Sequence, residues 1–160
     1  MRDATLCFLV KENQILLGMK KRGFGEGKFN GFGGKVGENE TIEEAAVREL
    51  LEETSVKVDP SDLKKMAEIT FYFPFAPKEK KWDQKVHVFF IDRWEGEPKE
   101  SEEMSTVWTD TDKLPFEKMW KDDKHWIPVV LQNKRLRATF RFDRDNESIM
   151  DYMMDEVDVF

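Results

Sequence analysis

Alternation of apolar and polar residues predicts strands along most of the chain. Near the start, a buried strand is followed by a partner across a short polar connection, and later strands are joined by charged hairpins. From Ile69 to Phe75, apolar residues occupy every second position, which is the period of a strand with one buried face. The predicted strands are 5–10, 15–19, 66–75, 86–91, 107–109, 135–142 and 149–157.

A period near 3.6 residues predicts two helices. The first covers 42–54, where no glycine or proline intervenes and where Thr41 and Glu44 have the spacing of a capping box. The second covers 125–133, with Pro128 tolerated near its start. Strands on both sides of one helix, with a second helix later, predict an α/β fold with a mixed sheet between helices. At this length we expect a single domain, residues 1–160.

The first predicted helix has one apolar and one acidic side. Glu49, Glu52 and Glu53 share the acidic side at spacings of three and four residues, so their carboxylates converge. Such a cluster is unfavourable without a cation, and Arg48 cannot neutralise all three charges. A hard divalent ion such as Mg²⁺ takes oxygen ligands and can do so. A solvated acidic face is the simpler alternative for a run of charges. The expected apolar side is Ala46, Val47, Leu50 and Leu51.

Composition narrows the class of protein. The net charge of −7 argues against a nucleic-acid polymer as partner, which would require a basic face. No apolar run reaches 18 residues and no basic-then-apolar leader begins the chain, so we expect no membrane association. Cys7 is the one cysteine and lies in an apolar run, which favours a buried side chain in a reducing, intracellular compartment such as the cytoplasm.

Residues 20–35 form a glycine-rich, basic stretch that is predicted to be a loop. It holds six of the nine glycines, yet it matches neither the P-loop nor the G-x-G-x-x-G pattern. Its cations either lie in solvent or meet phosphate oxygens. These cations are Lys20, Lys21, Arg22, Lys28 and Lys35.

Residues 31–56 resemble the Nudix box, G-x5-E-x7-R-E-U-x-E-E-x-G-U, where U is aliphatic. The matching positions are Gly34, Glu40, Arg48, Glu49, Leu50, Glu52, Glu53 and Val56. Ser55 departs from the pattern, since the family has glycine there. That glycine usually ends the helix in a left-handed conformation, which costs other residues about 1–2 kcal/mol. The resemblance implies a Nudix fold and hydrolysis of a phosphate anhydride with Mg²⁺, for which Mn²⁺ can substitute.

The regions that flank the box resemble the animal hydrolases of oxidised purine nucleoside triphosphates. The similarity runs over nearly the full chain, is clearest in residues 16–35, 115–123 and 151–158, and is weakest at 78–84. It implies cleavage of 8-oxo-dGTP and related nucleotides to the monophosphate and pyrophosphate, by a protein expected to be a monomer. The implied metal ligands are Glu49, Glu52, Glu53, the Gly33 carbonyl and Glu103. The implied catalytic residues are Arg48, Glu49, Glu52 and Glu53, with Glu53 the first choice of base. The implied substrate-binding residues are Thr5, Lys20, Phe24, Asn30, Phe32, Gly33, Gly34, Lys35, Phe71, Trp120, Asp122 and Asp123.

The implied purine site is chemically consistent. Trp120 offers a flat face for a base, and Asn30 offers both a donor and an acceptor. In an apolar cleft Asp122 and Asp123 would resist ionising together, so that one retains a proton and can donate it to a base carbonyl. Taken singly, Trp120 is as readily a core residue and the aspartates a helix N-cap. A Nudix enzyme acting on another phosphate ester, and a non-catalytic nucleotide-binding protein, are the two rival functions.

Overall fold

Eight strands and two α-helices build the fold in the computed structural model, which describes residues 1–160. The helices are α1 (Ile42–Thr54) and α2 (Asp123–Val130). The strands are β1 (Arg2–Lys11), β2 (Gln14–Lys20), β3 (Phe29–Asn30), β4 (Lys64–Tyr72), β5 (Gln84–Ile91), β6 (Met104–Asp110), β7 (Arg135–Phe142) and β8 (Ile149–Val157). Neither helix has the length and apolar character needed to cross a membrane.

The sheet is mixed, as predicted. Its strand order is β3-β2-β1-β5-β4-β7-β8, and β6 pairs with β2 outside this path. The β1–β5 and β4–β7 pairs are parallel, whereas the other pairs are antiparallel. The predicted hairpins between β4 and β5 and between β7 and β8 are confirmed.

Alternation along β1 places the two helices on opposite faces of the sheet. Ala4 and Phe8 belong to a core cluster that contains α2 residues such as Trp126. Cys7 and Leu9 belong to a second cluster that contains α1 residues. Because successive side chains of a strand point to opposite faces, one strand anchors both layers. The α/β sandwich predicted from the sequence is therefore confirmed.

The first helix begins with the capping box that the sequence predicts. The Thr41 hydroxyl accepts from the Glu44 N–H, and the Glu44 carboxylate accepts from the Thr41 N–H, both at 3.1 Å. The prediction for its apolar side is wrong at Leu51, which is 47% exposed. The buried side of α1 is shifted by one position relative to the prediction, because the helix packs against the sheet through the small side chains of its first turns. The buried residues of α1 are Ala45, Ala46, Leu50 and Thr54.

Several boundaries differ from the predicted ones. β4 ends at Tyr72 rather than continuing to Phe75, and Pro74, which lacks an N–H, follows soon after. The glycine-rich stretch contains the short β3, where Asn30 pairs with Gly18 of β2. The remaining changes are shifts of a few residues: β1 and β6 are longer than predicted, and α2 begins and ends earlier.

Replacing Ser55 with glycine is expected to stabilise the protein. Ser55 follows α1 with φ 67° and ψ 12°, and its N–H donates to the Leu51 carbonyl at 2.9 Å, so the helix ends in the left-handed cap that the family glycine provides. Glycine adopts this conformation without the Cβ penalty, so unfolding should cost about 1 kcal/mol more in the variant. Thermal melting should show a midpoint about 2–4 °C higher. An unchanged or lower midpoint would contradict this account of the cap.

Candidate active site

Glu53 is the most perturbed carboxylate of α1. Its Oε1 accepts a hydrogen bond from the backbone N–H of Gly33 at 2.8 Å. Burial, followed by the negative charge of Glu49, raises the pKa of Glu53 to about 8, while the Gly33 N–H and Lys20 act in the opposite direction. The charge of Glu52 raises this pKa further. Glu49 and Glu52 therefore lie near enough to Glu53 for their charges to act on it.

Arg48 donates hydrogen bonds to glutamates of this cluster and to Glu40 in the loop before α1. Its Nε and Nη2 donate to both oxygens of Glu40 at 2.8 and 2.7 Å, and its Nη1 donates to Glu49 at 2.9 Å and to Glu52 at 3.4 Å. The bidentate pair holds the pKa of Glu40 low, at about 2, with help from the Gly37 N–H. Arg48 thus fixes the loop before α1 to the helix and orients two of the three clustered glutamates.

Two consecutive glycines bring the backbone close to this cluster. A Cβ at Gly33 would collide with the Thr5 carbonyl oxygen, and a Cβ at Gly34 would lie 2.5 Å from Oε1 of Glu49. The Thr5 N–H donates to the Gly34 carbonyl at 2.9 Å, which ties the glycines to β1. The Gly33 carbonyl oxygen accepts no hydrogen bond within the chain. Only glycine permits this approach of backbone to carboxylate.

The donors in this region are all oxygens, which suits Mg²⁺ or Mn²⁺. Burial is the main cause of the raised pKa of Glu53, and the charges of Glu49 and Glu52 add to it; a divalent cation would offset both effects. The residues present therefore fit such an ion. As the side chains stand, no three carboxylates, histidines or cysteines are gathered in metal-binding geometry, since Glu49 and Glu52 turn toward Arg48.

A second group of predicted residues meets around Trp120. The Phe24 ring stacks on the Trp120 ring with centroids 5.4 Å apart and an interplanar angle of 30°. The Nζ of Lys28 lies 5.0 Å from the Trp120 ring centroid. The charge of Lys20 lowers the pKa of Glu53, so Lys20 lies near the carboxylate cluster. The segment from Lys20 to Lys28 therefore connects this cluster to the Trp120 ring.

Asp122 and Asp123 are both buried beside Trp120, at 5% and 2% exposure. Asp122 accepts from the Trp126 indole N–H at 2.9 Å, and Asp123 accepts from the Trp120 backbone N–H at 3.1 Å. Burial raises the pKa of Asp122 to about 6, and burial together with the charge of Asp122 raises the pKa of Asp123 well above its usual range. Asp122 occupies the N-cap position of α2 but makes no side-chain cap hydrogen bond. Asp122 therefore does not act as a conventional helix cap, and burial favours the neutral form of both carboxyls.

Comparison with known proteins places this geometry in a family. The model of the NUDIX domain matches residues 1–130. The chain belongs to the Nudix family. The oxidized purine nucleoside triphosphate hydrolase of Danio rerio is 49% identical over 154 residues, covering 96% of this chain and 94% of the relative. The protein of the same name from Mus musculus is 46% identical over 156 residues, covering 98% and 96%.

Solved Nudix-type structures agree with the fold. A mutator MutT protein from Bacillus halodurans superposes with a TM-score of 0.82 at 28% identity, covering 97% of this chain and 98% of that one. A MutT NUDIX hydrolase from Burkholderia pseudomallei gives 0.61 at 24% identity, covering 71% and 86%. The second likeness concerns the fold alone. The Nudix fold predicted from the box is confirmed.

Other residues implied by the Nudix resemblance lie less directly at the two clusters. Glu103 is paired with Arg22 at 3.8 Å rather than gathered with the α1 glutamates.

The Phe32 ring is fully buried in the core with α1, and the Phe71 ring packs on Phe140 and Phe142, both at 5.8 Å. The side-chain Oδ1 of Asn30 accepts from the backbone N–H of Gly31 at 2.8 Å. Thr5 is buried and Lys35 is exposed, with the Lys35 carbonyl accepting from Arg48 at 3.2 Å.

Trp126 is the hydrogen-bond partner of Asp122, and sequence reasoning missed this contact. It lies four residues after Asp122, the spacing that brings side chains together along a helix, and its indole N–H is the partner of the buried carboxylate. The signal was present in the sequence, but it has meaning only if α2 begins at Asp123, two residues earlier than predicted.

The stability of this Nudix protein should depend on pH through Asp122. Because the folded-state pKa is raised to about 6, the carboxyl contributes stability that is complete below about pH 4 and is lost as the pH rises through 6. Asp122→Asn removes this loss, so the variant should gain roughly 2–3 kcal/mol relative to wild type between pH 4 and 7.5. Urea unfolding at both pH values measures the difference. A difference that is constant with pH would refute the assignment.

Proposed function

We propose that the protein hydrolyses oxidised purine nucleoside triphosphates, such as 8-oxo-dGTP and 2-hydroxy-dATP, to the monophosphate and pyrophosphate. The observation that carries the proposal is the presence in one chain of the α1 carboxylate cluster and a buried carboxyl pair beside Trp120. The relatives from Danio rerio and Mus musculus support it, because they carry this activity in their names and align over nearly their whole lengths.

In this proposal the base is recognised by stacking and by a shared proton. Stacking on Trp120 contributes roughly 1–3 kcal/mol by analogy with single-strand binders. A protonated Asp123 donates a hydrogen bond and an ionised Asp122 accepts one, so that the pair offers both functions to the edge of a base. Oxidation changes the hydrogen-bond donors and acceptors on the edge of a purine. A buried carboxyl pair discriminates between such edges, because a base with the wrong pattern leaves a buried group without a hydrogen-bond partner. Asn30 adds a further amide at β3.

We assign the proton transfer to Glu53. Water attacks the β-phosphorus, the bond from that phosphorus to the bridging oxygen on the α side breaks, and Glu53 accepts the proton of the water. The Gly33 N–H holds the Glu53 carboxylate in place at 2.8 Å, and Arg48 holds Glu49 and Glu52 beside it. Lys20 places positive charge near the same carboxylates, where triphosphate oxygens would lie.

Mg²⁺ is the proposed cofactor, and Mn²⁺ can substitute for it. Glu49, Glu52, Glu53 and the Gly33 carbonyl are the proposed ligands, and Glu103 joins them by leaving Arg22. When bound, the cation supplies polarisation of phosphoryl oxygens and offsets the charge on the pyrophosphate.

We also infer that residues 1–160 act as one Nudix domain and as a monomer. β7 lies beyond the matched residues, yet it pairs in parallel with β4 and shares a core cluster with α2. Every residue assigned to the site lies on this one chain. Light scattering of the eluted protein should give a mass near 19.0 kDa, and a dimer mass would contradict the inference.

A substrate panel tests the proposed function. Pyrophosphate release is measured with 8-oxo-dGTP, 2-hydroxy-dATP, O6-methyl-dGTP and dGTP, with ADP-ribose as a probe of the rival class. We expect kcat/KM for at least one oxidised purine to exceed that for dGTP by about tenfold or more, which corresponds to one buried hydrogen bond. Preference for dGTP or ADP-ribose would replace the proposed substrate class, and absence of hydrolysis would favour a non-catalytic nucleotide-binding protein.

A further inference from the structure

Trp120 is covered by the protein's own chain. The cover is the glycine loop, residues 21–28 between β2 and β3, in which Gly23, Gly25 and Gly27 have positive φ. Phe24 lies at its tip, 79% exposed, with its ring stacked on Trp120 at 5.4 Å. Because the Phe24 ring is otherwise mostly in water, Trp120 is its main packing partner.

The spacing of the two rings leaves no room for a base between them. Stacked carbon atoms approach to about 3.5 Å, so a purine inserted between two rings requires their centroids to be about 7 Å apart. The observed 5.4 Å is too short. A purine that stacks on the side of Trp120 now covered by Phe24 must therefore displace the glycine loop.

One ion pair restrains this displacement at the base end of the loop. The Nζ of Lys28 lies 3.3 Å from Oε1 of Glu147 while remaining 5.0 Å from the Trp120 ring centroid. The Lys28 side chain is 27% exposed and that of Glu147 is 44% exposed. Lys28 thus joins the loop both to Trp120 and to the turn between β7 and β8.

The β7–β8 turn is a firm support for this pair. Asp145 accepts from the Glu147 N–H at 3.0 Å and from the Ser148 N–H at 2.8 Å, and the Asp143 N–H donates to the Ser148 carbonyl at 2.8 Å. A hydrogen bond from the Ser148 hydroxyl at 2.6 Å, followed by those from the Ser148 and Glu147 N–H groups, holds the pKa of Asp145 low, at about 2. Glu147 is therefore presented from a turn closed by its own hydrogen bonds.

We propose that Lys28 and Glu147 are positioning residues that hold the glycine loop closed over Trp120 and so limit the access of a purine to that ring. The inference rests on the proposed function for the identity of the purine site. Removing the ion pair should therefore strengthen nucleotide binding, because the nucleotide no longer has to break this pair in order to displace the loop. A residue that merely built the site would, on removal, weaken binding.

Glu147→Gln tests the proposal in the full-length protein. With 8-oxo-dGMP as the probe in stopped-flow fluorescence, the association rate constant should rise and Kd should fall, each about two- to fivefold, the range for a partly exposed ion pair. KM should fall by a similar factor with kcat within twofold. Amide hydrogen exchange of residues 21–28 should be faster in the ligand-free variant.

Three further variants keep the result interpretable: Glu156→Gln and Lys28→Arg are controls, and Lys28→Met removes the other partner of the ion pair. Glu156→Gln makes the same chemical change on an exposed residue of β8 and should match wild type. Lys28→Arg keeps a positive charge opposite Glu147, so its association rate constant should stay closer to the wild-type value than that of Lys28→Met. Unchanged or weaker binding in Glu147→Gln would overturn the proposal, as would faster association in Lys28→Met without any change in Glu147→Gln. Loop exchange is measured without nucleotide, so it separates failure of this proposal from failure of the substrate assignment.

Discussion

Glu53→Gln is expected to lower the rate of pyrophosphate release with Mg²⁺ by about two to four orders of magnitude, the range for loss of a general base. Glutamine retains an oxygen that can accept the Gly33 N–H, which Glu53 accepts at 2.8 Å, so the loop before α1 should keep its position. What is lost is the negative charge and the capacity to take a proton. Steady-state pyrophosphate release with 8-oxo-dGTP measures the effect.

Glu43→Gln is the matched control for this variant. Glu43 lies in the first turn of the same helix, is exposed and faces neither Arg48 nor the glycines, so its replacement should leave turnover unchanged. Glu53 is half-buried, and burial, followed by the charge of Glu49, raises its pKa, whereas Glu43 is exposed. Turnover of Glu53→Gln within a few-fold of wild type would remove Glu53 from the role of base.

The carboxylate cluster was predictable because it depends on spacing within one element. Glu49, Glu52 and Glu53 converge wherever that segment is helical, and the capping box at Thr41 indicates where the helix begins. The sequence left open how the helix ends at Ser55, and the structure shows a left-handed cap there. Leu51 is the exception, because the side of a helix that becomes buried depends on what packs against it, which spacing alone does not determine.

The pattern of residues along the sequence does not predict contacts between segments that are far apart in the chain. Glu103 was predicted to join the glutamates through the Nudix resemblance, yet it lies against Arg22, because two exposed loops of opposite charge meet there. The Lys28–Glu147 pair joins residues 119 positions apart and carries no motif. The burial of Asp122 and Asp123 follows from the packing of α2 on the sheet. Their adjacency is visible in the sequence, and the apolar cleft around them was expected only through the resemblance, since the contacts of α2 that bury them carry no motif.

Asp122→Ala is expected to lower kcat/KM for 8-oxo-dGTP roughly 10- to 100-fold, the range for loss of a buried hydrogen bond to a charged group. The loss should be selective, because Asp122 lies beside Trp120 and is not among the proposed metal ligands. The Mg²⁺ concentration that gives half-maximal activity should therefore stay unchanged, and the preference for 8-oxo-dGTP over dGTP should shrink.

The selectivity ratio separates base recognition from a folding defect. The alanine variant leaves the Trp126 indole N–H without its partner at 2.9 Å, so some loss of stability is expected in addition. Asp122→Asn keeps an acceptor for that N–H but cannot ionise, so it should retain more stability while still changing the preference among bases. If both variants lose activity equally on 8-oxo-dGTP and dGTP, Asp122 does not select the base. If selectivity changes in both while the Mg²⁺ dependence is constant, the shared proton of the pair is what distinguishes one purine edge from another.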